Sequence, residues 1–215
     1  LKIAIDCANG ASYQTAFKAL NKLGANVEAI HNTPDGVNIN YKCGSTHMES
    51  LCAYVSSIGA DVGLAFDGDA DRMLAVDENG NIIDGDQIMA VCANQLMQEG
   101  KLSQNTLVAT VMSNLGLFIA GEKLGINIPK TKVGDRYVLE EMLDKGYVLG
   151  GEQSGHIIFL EHNTTGDGLV SALQFLSVLK KTDKKASELA KIVNVLPQVL
   201  CNAKIKTEHK ADYMN

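Results

Sequence analysis

The chain has no surplus of positive charge. Lys and Arg number 19 against 25 Asp and Glu, giving a net charge of −6 and a pI near 5.3. The basic residues are scattered, which leaves no basic face of the kind that binds nucleic acid. No apolar run is long enough to span a bilayer, so no membrane partner is expected. No charged-then-apolar leader opens the sequence. Cys7, Cys43, Cys52, Cys92 and Cys201 form no Cys-x-x-Cys pair. That odd, unpatterned set excludes a disulfide framework and argues against zinc. It points to free thiols, mostly small core residues, in a reducing cytoplasm. The first residue is Leu1, already inside a strand pattern, and the expectation is a piece of a longer protein.

The 215 residues suffice for one large or two small domains. Short apolar runs predict strands at 2–6, 27–30, 62–66 and 73–76. Between them, Ala16, Phe17, Leu20 and Leu23 recur at helical spacing, capped by Ser12 and ended by Gly24. A second helix is predicted over 49–58. Pro34-Asp35-Gly36 marks a turn within a polar segment, 32–47. In the second half, helices are predicted over 87–98, 114–124, 135–143, 168–180 and 188–193. Strands are predicted at 106–111, 126–128, 147–149, 157–160 and, after Pro197, near 199–205. Leu169, Leu173 and Leu176 share one face of the helix at 168–180.

The halves resemble each other. Each has a strand, an Asn-bearing turn, a helix and then Leu-Gly-x-Asn: Leu23-Gly24-Ala25-Asn26 in one, Leu124-Gly125-Ile126-Asn127 in the other. The expected fold class is α/β, with two similar domains, each a mixed β-sheet sandwiched between helices. The boundary falls near 80–84, dividing the chain into 1–82 and 83–215.

The chemistry concentrates at residues 67–72, Asp-Gly-Asp-Ala-Asp-Arg, at the end of a buried-looking strand. Carboxylates at alternate positions can converge on one point, and a hard divalent cation bound through oxygen relieves their repulsion. The small spacers let the chain curl around it. This reads as a Mg²⁺ site of Asp67, Asp69 and Asp71 at the carboxyl end of a strand, where α/β sheets place their chemistry. A solvated acidic turn is the plain alternative. An EF-hand loop fails, because Glu78 fits its twelfth position but Arg72 stands where its sixth requires glycine. An aspartyl phosphatase with Asp67 as nucleophile is the enzymatic alternative. The third carboxylate, Asp71, suits a metal better.

A second loop, Gly151-Glu152-Gln153-Ser154-Gly155-His156, presents a carboxylate, a hydroxyl and an imidazole at alternate positions, a set suited to sugar hydroxyls. A glycine-rich connection with an incidental histidine fits equally well. Gly134-Asp135-Arg136 opens a helix, where an arginine and a helix N-terminus can hold a phosphate. The plain alternatives are an Asp135 that serves only the helix dipole and an Arg136 that is a solvated charge. Asn9-Gly10 and Cys43-Gly44-Ser45-Thr46-His47 are loops that can line a site or simply turn.

Together the two loops, in this order, resemble the α-D-phosphohexomutase superfamily over nearly the whole chain. Gln153, the segment 133–138 (Val-Gly-Asp-Arg-Tyr-Val), the segment 35–40 (Asp-Gly-Val-Asn-Ile-Asn) and the Cys43–His47 run look most like its bacterial phosphoglucosamine mutase branch. The resemblance implies the second and third of four domains around a cleft. It implies Mg²⁺ on Asp67, Asp69 and Asp71, Arg72 as a catalytic group steadying the transferring phosphate, and Glu152, Ser154, His156, Asp135 and Arg136 as contacts to a small phosphosugar. The implied reaction interconverts glucosamine 6-phosphate and glucosamine 1-phosphate, a step toward peptidoglycan precursors. It runs through a phosphoserine and a bisphosphorylated sugar that acts as intermediate or activator. The serine motif and the fourth domain's phosphate loop are not in this sequence, so the chain alone is expected to be inactive. A homodimer would form through domains outside it. A phosphomannomutase/phosphoglucomutase of the same superfamily and a non-catalytic sugar-phosphate-binding module are the remaining alternatives.

Overall fold

A computed structural model describes residues 1–201. The first half alternates β1 (Lys2–Asp6), α1 (Ser12–Lys22), β2 (Asn26–Ile30), α2 (Glu49–Ile58) and β3 (Val62–Phe66), then turns back through β4 (Met73–Asp77) and β5 (Ile82–Ile83). These strands form one sheet in the order β2-β1-β3-β4-β5. β2, β1 and β3 are parallel, β4 pairs antiparallel with β3, and β5 pairs antiparallel with β4. Side chains alternate between its two faces. Ala4, Ala65 and Val76 meet Leu51 and Val55 of α2 on one face. Ile3, Ile5, Leu64, Phe66 and Ala75 meet Ala16 and Leu20 of α1 on the other.

The second half contributes α3 (Gly85–Gln98), β6 (Ala109–Thr110), α4 (Leu115–Leu124), β7 (Lys130–Thr131), α5 (Asp135–Lys145), β8 (Leu149–Gly151), β9 (Ile157–Phe159), α6 (Gly168–Thr182) and α7 (Ala186–Ala190). β6 pairs parallel with β7, and β8 antiparallel with β9. A bridge between Val108 and Gly150 joins the two pairs. The resulting order, β7-β6-β8-β9, repeats β2-β1-β3-β4, and in both halves the last pair is antiparallel. Val138 and Met142 of α5 cover one face through Val108 and Ile158. The other face, with Leu107, Leu149 and Phe159, enters the same core as the first sheet through Ile88 and Met89 of α3 and Phe175 and Leu179 of α6. One apolar core therefore spans both halves and fixes the ends of their strands against each other.

The observed elements depart from the sequence expectation in several places. Ser12 does not cap α1: Ala11 holds that position, while Ser12 lies inside the helix with its Oγ donating to the Cys7 carbonyl. Leu23 is 70% exposed, so the buried stripe of α1 narrows to Ala16 and Leu20. The strand expected over 106–111 keeps regular pairing only at Ala109–Thr110, with single bridges at Thr106 and Val108. The strand expected at 126–128 falls later, at Lys130–Thr131, leaving Asn127 as a lone bridge. On α6 the buried face is Ala172, Phe175, Leu176 and Leu179, with Leu169 and Leu173 only partly covered. Residues 199–201 form no strand, and 202–205 lie outside the described residues.

Asp84 caps α3 reciprocally. Its carboxylate accepts from the Gln87 N–H, and the Gln87 side chain accepts from the Asp84 N–H. Two residues on, the fully buried Asp86 accepts from the Asn114 N–H at 2.6 Å, while its other oxygen has no partner among the described residues. Burial pushes this carboxyl up to about 6, against the hydrogen bond from Asn114. With the folded value above an unfolded one of about 3.9, the stabilisation is complete below pH ~4 and is lost as pH rises through about 6. Asn in this place keeps the acceptor and never ionises. Asp86→Asn should therefore gain stability relative to the parent by roughly 2 kcal/mol between pH 4 and pH 7. Denaturant unfolding of both proteins at the two pH values checks this, and a pH-independent difference would refute it.

Candidate functional site

The connection from β3 to β4 is the six-residue acidic loop. Ala70 turns it through a left-handed conformation, φ +63°. Its other supports come from neighbouring loops. The Ala11 N–H donates to the Gly68 carbonyl at 2.8 Å, and a Cβ on Gly10 would collide with that same carbonyl. The Arg72 N–H donates to Asp67 Oδ1 at 3.1 Å. One carboxylate oxygen from each of Asp67, Asp69 and Asp71 lies within 4.8 Å of the others. Burial, reinforced by Asp71, pushes Asp67 up to about 7. Burial also pushes Asp71 upward, but hydrogen bonds with Asp67 and His156 prevail and hold it below the ordinary range. An all-oxygen set with unrelieved negative charge fits a hard divalent cation.

The second loop meets the first directly. Arg72 and His156 form an antiparallel bridge, and the Met73 N–H donates to the Gly155 carbonyl at 3.1 Å. Gly155, at φ +92°, has no room for a side chain because a Cβ would press on the Met73 carbonyl. His156 is 4% exposed. Its Nε2 accepts from the Gly166 N–H at 3.0 Å, which puts the ring proton on Nδ1, and Nδ1 donates to Asp71 Oδ2 at 2.9 Å. Both ring nitrogens are thus engaged within the protein, one of them on Asp71. The buried Arg72 Nε has no hydrogen-bond partner among the described residues.

Glu152 is half-buried, and its Oε1 accepts from the Gly134 N–H at 2.9 Å, tying the loop to the start of α5. Ser154 is exposed at the turn. Asp135 Oδ2 lies 3.9 Å from His156 Nε2, which places its exposed carboxylate beside the same junction. Arg136 is separate from this cluster. Its Nε donates to Glu140 along the exposed surface of α5 at 2.7 Å, an arrangement worth little energetically. Sequence reasoning missed Asp84 and Gly166. Asp84 Oδ2 accepts from the Gln153 side chain at 3.1 Å, and the Gly85 N–H donates to the Gln153 carbonyl. The capping pattern at 84–87 was the available signal for Asp84. Gly166 acts only through its backbone.

Residues 84–195 match the family model described as phosphoglucomutase/phosphomannomutase, alpha/beta/alpha domain III, and residues 1–80 match its domain II. The chain belongs to the phosphoglucomutase/phosphomannomutase family. Across its full length it is 66% identical to phosphoglucosamine mutase of Ruminiclostridium cellulolyticum, 48% of which it covers. The chain spans about half the length of the curated relatives it matches. A phosphoglucomutase/phosphomannomutase family protein of Burkholderia thailandensis superposes with a TM-score of 0.81 at 25% identity, over 91% of this chain and 43% of that one. The N-acetylphosphoglucosamine mutase of Aspergillus fumigatus, solved with GlcNAc-6P and magnesium, shares the fold at a TM-score of 0.72 and 20% identity, over 91% of this chain and 50% of that one. The expected α/β architecture of two similar domains is that of this family.

If Asp71 holds a cation, the bond from His156 would orient that ligand. His156→Ala is expected to weaken Mg²⁺ binding roughly 10- to 100-fold. Calorimetric titration of a folded variant tests this, and an unchanged affinity would show that Asp71 needs no such support.

Proposed function

We propose that this chain is the cation-binding and sugar-recognising part of a phosphoglucosamine mutase. The full protein would interconvert glucosamine 6-phosphate and glucosamine 1-phosphate through a phosphoserine and a bisphosphorylated sugar. The observation that carries the reading is the junction of the two loops, where three crowded carboxylates and a buried, unpartnered arginine nitrogen adjoin the Glu152–Ser154 turn. The 66% identity to a phosphoglucosamine mutase favours the amino sugar.

Asp67, Asp69 and Asp71 would hold Mg²⁺, which supplies charge neutralisation during phosphoryl transfer. Arg72 offers charge-assisted donors to the phosphate, and that contact satisfies the Nε left without a partner. Glu152 keeps one carboxylate oxygen bound to Gly134, so its other oxygen and the Ser154 hydroxyl are positioned to take sugar hydroxyls. Asp135 flanks the same face. Gln153 turns toward Asp84 and fixes the loop. His156 orients Asp71. The domain division proposed is 1–82 for the cation loop and 83–215 for the sugar loop. Asp67 serves as a cation ligand here, in place of the nucleophile of an aspartyl phosphatase.

The test compares kcat/KM of the full-length, serine-phosphorylated protein with Mg²⁺ for glucosamine, glucose and mannose 6-phosphates. A preference for glucosamine 6-phosphate of about tenfold or more, roughly 1.4 kcal/mol, is expected. A preference for glucose or mannose would keep the mutase and remove the amino-sugar assignment. Release of free phosphate without isomerisation would overturn the mutase reading. In the same protein, Arg72→Gln should lower kcat by about 10²-fold or more, with KM changed far less. An equal loss in binding alone would assign Arg72 to ground-state binding.

A further inference from the structure

Behind the acidic loop lies a second cluster that the sequence spacing did not suggest. Asp6 ends β1, His31 follows β2, and Cys43 precedes the turn at 44–46; these residues are 25 and 12 positions apart. The fold brings Asp6 Oδ2, a His31 ring nitrogen and Cys43 Sγ within 4.8 Å of one another. Asp6 and Cys43 are wholly buried, while the His31 side chain is 31% exposed and gives solvent a path inward. From this geometry we propose that Asp6, His31 and Cys43 form a binding site for a soft divalent cation of the Zn²⁺ class, distinct from the hard-cation site at Asp67, Asp69 and Asp71.

The donor set is the first support. One thiolate, one imidazole and one carboxylate suit Zn²⁺ and leave a fourth position for water, whereas Mg²⁺ avoids sulfur. The second support is charge balance. A divalent cation with one carboxylate and one thiolate is neutral, so the buried site carries no net charge that would need solvation. The third is the surrounding shell. The Ala8 N–H donates to Asp6 Oδ1 at 2.9 Å and the Gly44 N–H to Asp6 Oδ2 at 3.0 Å. The Asn9 side-chain amide donates to Cys43 Sγ at 3.9 Å. Such contacts fix ligand orientation in metal sites. His31 itself is held at φ +47° with Nδ1 2.9 Å from Asp6 Oδ2. Cation entry replaces this hydrogen bond with two metal–ligand bonds. The Nδ1 proton passes to Nε2 through solvent, and the Cys43 thiol releases its proton, so one proton leaves per cation bound.

The test is a Co²⁺ titration of the intact chain in excess Mg²⁺, which occupies the hard site. The expected result is a near-ultraviolet thiolate-to-Co²⁺ charge-transfer band that saturates at one equivalent and is bleached by Zn²⁺. The band should vanish in Cys43→Ser and persist in Cys201→Ser. His31→Ala, at a partly exposed position that the fold tolerates more readily, should weaken Co²⁺ binding at least tenfold. Absence of the band in the parent, its survival in Cys43→Ser, or unchanged affinity in His31→Ala would overturn the proposal. None of these readouts depends on mutase activity, so the assignment stands or falls apart from the proposed reaction.

Discussion

Three carboxylates held within 4.8 Å of one another are the constraint on which the rest of the structure depends. Left alone they would spread apart, because like charges at such distances repel one another. The chain holds them by gripping the loop from both domains. The Ala11 and Arg72 N–H groups fix the Gly68 carbonyl and the Asp67 carboxylate, and the Gly168 N–H fixes the Ala70 carbonyl. His156, buried in the second half, reaches across to Asp71. The backbone around the cluster is thus over-determined, and burial together with Asp71 raises Asp67.

That grip explains why the two domains share a core. His156 can support Asp71 only if β9 and β4 keep a fixed relation, and Met73 and Gly155 are within one hydrogen bond of each other. A polar interface alone would let the halves hinge. Instead, Phe66, Met73, Met89, Ile157 and Phe175 pack in one continuous apolar cluster under the junction. The price is paid in side-chain room, since Gly155 and Gly168 must stay bare where backbone meets backbone.

Much of the fold was legible because its signals are local. Glu49–Ile58, Val62–Phe66 and Lys2–Asp6 were read with their observed bounds, since apolar period and flanking turns agree there. Gly125 stops α4 in a left-handed conformation, as its place after Leu124 implied. The second sheet was harder. Its strands are two or three residues long, held by single bridges at Thr106 and Val108, and pairing of that kind is decided by the partner strand. Ser12 looked like a cap because the residue type favours that role, but tertiary packing drew its side chain inward toward Cys7.

The site divides along the same line. Asp67, Asp69 and Asp71 share one short loop, and alternation alone suggests their convergence. Glu152, Ser154 and His156 alternate as well, yet they do three different things: one anchors to Gly134, one faces solvent, and one buries its ring against Asp71. Spacing shows which residues share a loop; it does not show which neighbour each will find across the fold. The buried Arg72 Nε makes the point most sharply. It follows three aspartates in the chain, yet it finds no hydrogen-bond partner among the described residues. An unpaired buried donor costs about 1–3 kcal/mol, and a folded chain keeps that cost where a ligand removes it. An anion at Arg72 and a cation at the carboxylates would each relieve such a cost, and their binding would then strengthen the same junction that assembles the proposed site.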